Sequence, residues 1–237
     1  MKFKSSDERY LERRREFSKE AGARELWSVV DHWPLYCGIK NLARFMAIAD
    51  LLRSKLDVPG HVAEFGSWRG ATLMLMAKLL RIYDPHGSKQ VHCFDSFSGL
   101  QTFNEKDGVG ASAQGAYRGD YEELVSLIHL YELDDEIIIH KGNILETLPA
   151  LLDADQAVSF SFVYCDTDLF EPTQKILECI HPRLMKGGLF VVDEWNYEQW
   201  PGETAAVRAF LDRYGDAYQP RHVSTAAQPS LVLEKVR

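Results

Sequence analysis

Two acidic runs carry the residue types that chemistry most often uses. They read Val163-Tyr164-Cys165-Asp166-Thr167-Asp168-Leu169 and Val191-Val192-Asp193-Glu194-Trp195-Asn196. Each follows a short apolar run of the kind that forms a buried strand. Where two such strands are neighbours in a parallel sheet, their ends deliver Asp166, Asp193 and Glu194 to one crevice. Three hard oxygen donors facing one gap suit Mg²⁺, with water or substrate at the remaining positions. Without a cation, those anions would repel one another. A divalent ion would also stabilise the alkoxide of an alcohol and orient its oxygen, while Asp166 collected the proton. The alternative is structural. Asp166 and Asp168 would cap a helix beginning near Pro172, and Asp193 would form an ordinary salt bridge. Both stand at this stage.

A second candidate site is the turn His61-Val62-Ala63-Glu64-Phe65-Gly66-Ser67-Trp68-Arg69-Gly70. Gly66 and Gly70 let backbone come close to a ligand. Their spacing is G-x-x-x-G, not the G-x-G-x-x-G of dinucleotide folds, and no G-K-[ST] follows. Glu64 would repel a pyrophosphate and suit an ammonium or sulfonium group, which favours S-adenosylmethionine (SAM) over NAD. Asp95, at the end of the next strand, has the two acceptors that a ribose diol requires. It could equally cap nearby backbone N–H groups. Asn143 in Lys141-Gly142-Asn143 is either an adenine contact or the N-cap of the helix from Ile144.

The elements that must position these residues follow from periodicity. Residues 5–30 read as a polar helix with Ser6 as N-cap, docked through Tyr10, Phe17, Leu26 and Trp27, and Ile39–Leu56 as a second helix with Leu42, Phe45, Met46, Ala49 and Leu52 on one face. Strands follow at 61–65, 90–94, 136–140, 158–165 and 189–192. Helices at 71–83, 121–130, 144–152, 172–181 and 203–214 alternate with them. Residues 96–117 read as loop. The tail reads as strands 217–223 and 230–236, too close in sequence for a parallel crossover and therefore antiparallel. The result is an α/β fold: a doubly wound, seven-stranded, mostly parallel sheet with a C-terminal antiparallel hairpin and N-terminal helices. Residues 1–58 form the N-terminal helical segment, and 59–237 the cofactor-binding domain.

Composition narrows the classes. The chain has 237 residues, 46% hydrophobic and 26% charged, values that exclude disorder. A net charge of −8 argues against a generic nucleic-acid surface. No apolar stretch is long enough for a membrane helix, and the first residues lack the apolar region of a signal peptide. Cys37, Cys93, Cys165 and Cys179 show no C-x-x-C spacing. The expectation is a cytoplasmic protein with reduced thiols. Trp195, Tyr197 and Trp200 follow the second acidic run and offer ring faces to a sugar or to the core. His32 near the site and His222 in a strand are read as packing residues.

The runs EFGSWRGAT (64–72), FDSFSGL (94–100), NILETLP (143–149), CDTDLFEPT (165–173) and PRLMKGGLFVVDEW (182–195), in this order, resemble the macrocin O-methyltransferase (TylF/MycF) family of class I, Rossmann-like SAM-dependent methyltransferases. The likeness covers about residues 60–210. It implies a Mg²⁺-dependent enzyme that methylates a sugar hydroxyl of a glycosylated natural product or saccharide. Asp166 would be metal ligand and general base, with Asp193 and Glu194 completing the metal site. Glu64, Gly66 and Asp95 would hold SAM, with Ser67 and Gly70 in the same turn, Trp68 and Ser96 flanking it, and Asn143 at the adenine. Two departures stand out: Glu194-Trp195 replaces an Asp-Tyr pair, and Leu100-Gln101 lacks a proline. The competing functions are a catechol-type O-methyltransferase, a metal-dependent glycosyltransferase using Asp166-Thr167-Asp168, and a non-catalytic module on the same fold. The expected partners are a small glycoside or sugar and further copies of the chain, not nucleic acid or membrane.

Overall fold

The computed structural model describes residues 8–9, 11–13, 15, 17, 19, 25–101 and 103–237. Its sheet is built from β1 (His61–Phe65), β2 (Val91–Asp95), β3 (Ile137–Lys141), β4 (Phe160–Cys165), β5 (Leu184–Val192), β6 (Tyr218–His222) and β7 (Leu231–Lys235). The order across the sheet is β3-β2-β1-β4-β5-β7-β6. β1 to β5 run parallel, and β7 pairs antiparallel with both β5 and β6. Strand order reverses between β1 and β4, so the crevice for a ligand opens at their carboxyl ends.

Helices cover both faces: α1 (Leu26–Asp31), α2 (Ile39–Arg53), α3 (Ala71–Tyr83), α4 (Tyr121–Leu130), α5 (Ile144–Ala154), α6 (Phe170–Ile180) and α7 (Pro201–Tyr214). Side chains alternate across a strand, and β1 shows the result. Val62 packs with Leu52, Leu73, Met76 and Leu124 under α2, α3 and α4. Ala63 and Phe65 pack with Leu148, Ile176, Leu177 and Phe210 under α5, α6 and α7. Among the described residues, no helix is long and apolar enough to cross a membrane.

Several boundaries differ from the sequence expectation. Described residues between 8 and 19 are helical, but Glu25 is extended (φ −66°, ψ 131°). Its carboxylate accepts hydrogen bonds from the Trp27 and Ser28 amides at 3.0 and 2.7 Å and starts α1 afresh. Ser6 and Tyr10 lie outside the described residues, while Phe17, Leu26 and Trp27 are exposed. The buried face of α2 is Ala47, Ile48, Leu51 and Leu52, and Met46 points outward. β5 begins at Leu184 and takes in the Lys186-Gly187-Gly188 run. β4 pairs Phe160 with Leu184 and then Phe162 with Leu189, so the glycines form a bulge inside the strand instead of a turn before it. Within 96–117, Glu105–Ala113 forms 3₁₀ turns opened by a reciprocal Asn104–Asp107 cap.

At the β2 side of the sheet, His92 is buried, with Nδ1 3.1 Å from His140 Nε2 and its ring against those of His61 and Phe160. Burial first, then the neighbouring His140 and His61, pull its pKa from 6.5 down to about 4. The folded state therefore binds this proton less well than the unfolded chain. The associated stability is complete above pH 6.5 and is lost as pH falls toward about 4. Urea unfolding should show a loss of ~2 kcal/mol between pH 7 and pH 5. His92→Leu should flatten that slope, and an equally steep slope in the variant would rule out His92 as its source.

Candidate active site

The first βα turn is shaped by close backbone contact. Gly66 has φ +82°, and a Cβ there would stand 1.9 Å from the Asp166 backbone oxygen. The Asp166 amide in turn donates to the Phe65 oxygen at 2.9 Å. The glycine thus brings the ends of β1 and β4 together, a role distinct from the ligand approach expected of it. Gly70 (φ +79°) precedes α3, and a Cβ there would meet Leu124 Cδ1 at 2.4 Å. Trp68, also at positive φ (49°), is about half exposed at the rim.

Asp95 braces this turn. Its Oδ2 accepts from the Ser67 and Trp68 amides at 2.7 and 2.9 Å, and its Oδ1 from the Phe97 amide at 2.6 Å. The capping alternative is therefore realised, and Oδ1 keeps one lone pair for a further donor. Glu64 is buried and accepts from the Ser67 hydroxyl, and burial pushes its pKa up to about 8. Ser96 Oγ accepts from the Ser98 amide at 3.1 Å. Asn143 caps α5 by accepting from the Leu145 amide at 3.1 Å, the second of its two expected roles.

The acidic runs converge beyond β4 and β5. Asp166, Asp168 and Glu194 offer carboxylate oxygens all within 4.8 Å of one another. Neither aspartate caps α6. The Phe170 amide at its start donates to Asp107 Oδ1 at 2.6 Å instead, so a residue of the 3₁₀ segment supplies that cap. Asp193, expected as a metal donor, is turned elsewhere. Tyr164 donates its hydroxyl to Oδ1, and Arg44 holds Oδ2 at 3.1 Å while its other nitrogen holds Asp166 Oδ2 at 2.7 Å. The salt-bridge alternative for Asp193 is thus realised, and it includes Asp166.

The pocket is crowded with carboxyl groups, and the crowding disfavours their charged forms. Burial, then the charges of Asp193, Asp166 and Asp168, push Glu194 up to about 10. Burial also raises Asp168, Asp193 and Glu203, with neighbouring carboxylates adding to it and Arg44 opposing it at Asp168 and Asp193. Glu194 Oε1 accepts from the Gln228 side chain, and its buried Oε2 has no hydrogen-bond partner among the described residues. Glu203, fully buried in the first turn of α7, accepts from the Glu194 amide at 2.9 Å. An orphaned carboxylate oxygen beside two others is a donor set that fits a hard divalent cation.

For Trp195 and Trp200 the structure favours the core side of the two expected roles. Trp200 is buried, and Trp195 lies partly against the core under Arg208. The ring that joins the two halves of the site is Tyr117, edge-on to Trp68 at 5.7 Å and to Trp200 at 6.1 Å. Burial, followed by Asp168, raises its hydroxyl pKa, which places it near the acidic pocket. Neither Tyr117 nor Gln228 stands out by residue type or spacing in the sequence. Arg44 and Glu203 did carry one: each sits three and four residues from buried apolar positions (Ala47 and Ile48; Ala206 and Val207), a charge on the inward stripe of a helix.

Comparisons with known proteins give the family and the fold. The profile of the macrocin-O-methyltransferase (TylF) family matches residues 5–218. The chain is 28% identical over 204 residues to 8-demethyl-8-(2,3-dimethoxy-alpha-L-rhamnosyl)-tetracenomycin-C 4'-O-methyltransferase of Streptomyces olivaceus, a stretch covering 80% of this chain and 71% of that protein. It is 29% identical over 167 residues to demethyldecarbamoylnovobiocin O-methyltransferase of Streptomyces niveus, covering 67% and 61%. Among solved structures, the calicheamicin methyltransferase CalS11 superposes with a TM-score of 0.83 at 27% identity, over 97% of this chain and 92% of that one.

The contact between Gly66 and Asp166 leaves no room for a side chain. Gly66→Ala should lower the unfolding free energy by ~3 kcal/mol or more, read by urea denaturation. Wild-type stability in that variant would show that the two strand ends are not in contact.

Proposed function

The chain belongs to the macrocin-O-methyltransferase family, and from that premise we propose that it moves the methyl group of SAM to a sugar hydroxyl of a natural product or saccharide, using Mg²⁺. The observation that carries this reading is the cluster of Asp166, Asp168 and Glu194 at the strand ends, next to the turn of β1. The relatives support the chemistry, since those named above are O-methyltransferases and one is named for a rhamnosyl-bearing compound. Residues 59–237 form the cofactor-binding domain in this reading, and the helical segment 1–58 sends α2 to the pocket.

Glu64, Gly66, Ser67, Trp68, Gly70, Asp95, Ser96 and Asn143 surround SAM in this reading. The free lone pair on Asp95 Oδ1 takes a ribose hydroxyl. Buried Glu64 gives up its proton when a cationic cofactor arrives and then faces that charge. Asp166 and Glu194 hold the metal, with Asp168 or Asp193 as third donor. A divalent ion held there would make the acceptor hydroxyl more acidic and help to orient it. Asp166 receives the hydroxyl proton. The acceptor oxygen bonds to the methyl carbon as the carbon–sulfur bond breaks, and that electron pair returns to sulfur, leaving a neutral thioether. Positioning in line supplies much of the rate. Tyr117 and Trp68 offer ring faces to the sugar. A cytoplasmic location belongs to the same reading. So does self-association, supported by the exposed Leu26, Trp27, Trp33, Leu35 and Ile39.

Calorimetry should show SAM and its demethylated product binding to the wild type. Asp166→Asn should keep that affinity while turnover on a glycoside acceptor falls by ~10²-fold or more. A chain that binds neither nucleoside would refute the proposal. Tyr117→Ala should raise the acceptor KM by about tenfold and leave the SAM affinity alone. An unchanged KM would remove Tyr117 from the acceptor site.

A further inference from the structure

Arg44 sits where a cation is wanted, and it comes from outside the sheet. α2 carries it on the same face as Ala47, Ile48, Leu51 and Leu52, whose burial against the core anchors the helix. Its guanidinium lies 5.7 Å from the centre of the Tyr164 ring and spans two carboxylates, Asp166 at 2.7 Å and Asp193 at 3.1 Å. Asp166 is shared with the oxygen cluster that includes Asp168 and Glu194. One carboxylate thus belongs both to an internal ion pair and to the donor set that fits a divalent cation. Asp193 lies one residue from Glu194 but is absent from that donor set while Arg44 and Tyr164 hold its oxygens.

We propose that Arg44 is a built-in competitor for the divalent cation: its guanidinium occupies Asp166 and Asp193, and the metal displaces it. This rests on the cation-site reading above. A positive charge a few ångströms away opposes entry of a second one. An arginine pairs with carboxylates through fixed, forked hydrogen bonds, so it holds them in place without a metal. On displacement, Oδ2 of Asp166 and of Asp193 is released to the cation while Tyr164 keeps Asp193 Oδ1, and α2 loses the ion pairs that tie Arg44 to the ends of β4 and β5. The N-terminal helical segment therefore senses whether the pocket is loaded.

Mn²⁺ titration followed by electron paramagnetic resonance tests this without any turnover. Arg44→Gln should bind Mn²⁺ about tenfold or more tightly than the wild type, and Arg44→Lys, which keeps the charge, should fall close to the wild type. Equal or weaker binding by Arg44→Gln would overturn the competitor role. Absence of Mn²⁺ binding in all three proteins would instead overturn the cation site and this inference with it. Should Arg44→Gln fail to fold, the wild type alone decides. Amide hydrogen exchange across 39–53 should speed up when Mn²⁺ is added, and exchange that stays the same while Mn²⁺ binds would overturn the proposal.

Discussion

Repulsion among buried carboxylates is the constraint around which the pocket is organised. Asp166, Asp168, Asp193, Glu194 and Glu203 meet at the ends of β4 and β5, where burial makes a bare negative charge costly. The fold answers with several devices, each from a different element. Arg44 arrives from α2, the Tyr164 hydroxyl from β4 and the Gln228 amide from the loop before β7. The Glu194 amide is given to Glu203 at the start of α7, where a helix N-terminus favours negative charge. Even so, Oε2 of both Glu194 and Glu203 has no hydrogen-bond partner among the described residues. Such incomplete satisfaction is unusual for a buried group.

The same crowding explains the surrounding backbone. Asp166 can stand beside β1 because Gly66 has no side chain to exclude it. Asp166 and Asp168 face the pocket because the start of α6 takes its cap from Asp107, which lies far away in sequence. Gly202, at the start of α7, packs so near that Asp107 that a Cβ would come within 2.0 Å of its carboxylate. The loop 101–120, which offered no recognisable code, thus pins the mouth of the site through one buried aspartate and places Tyr117 at its rim.

Much of the scaffold was legible in the sequence because its signals are local. β1, α3 and α4 fall on the expected residues, since apolar spacing, a glycine after the strand and an acidic N-cap all point the same way. The antiparallel tail followed from the shortness of its connection. The start of β5 was not legible, because Gly187 and Gly188 resemble a turn and form a bulge only when paired with β4. In the site, the acidic residues themselves were visible, but their partners were not. No spacing rule links Arg44 to Asp166 and Asp193, which are brought together by the fold. Asp95 and Asn143 showed the opposite limit: the residue types were compatible with two roles each, and the backbone bonds are the ones present.

The placement of β7 has a consequence for how the molecule is made. It inserts between β5 and β6, and the residues just before it, Gln228 and Ser230, reach Glu194 and the Asp193 carbonyl. A nascent chain leaving the ribosome therefore carries strands one to five long before the sheet has its penultimate member. Until the stretch after 227 emerges, the acid-rich crevice has one wall missing and β5 has a bare edge. Chaperone protection during translation would matter most in that interval.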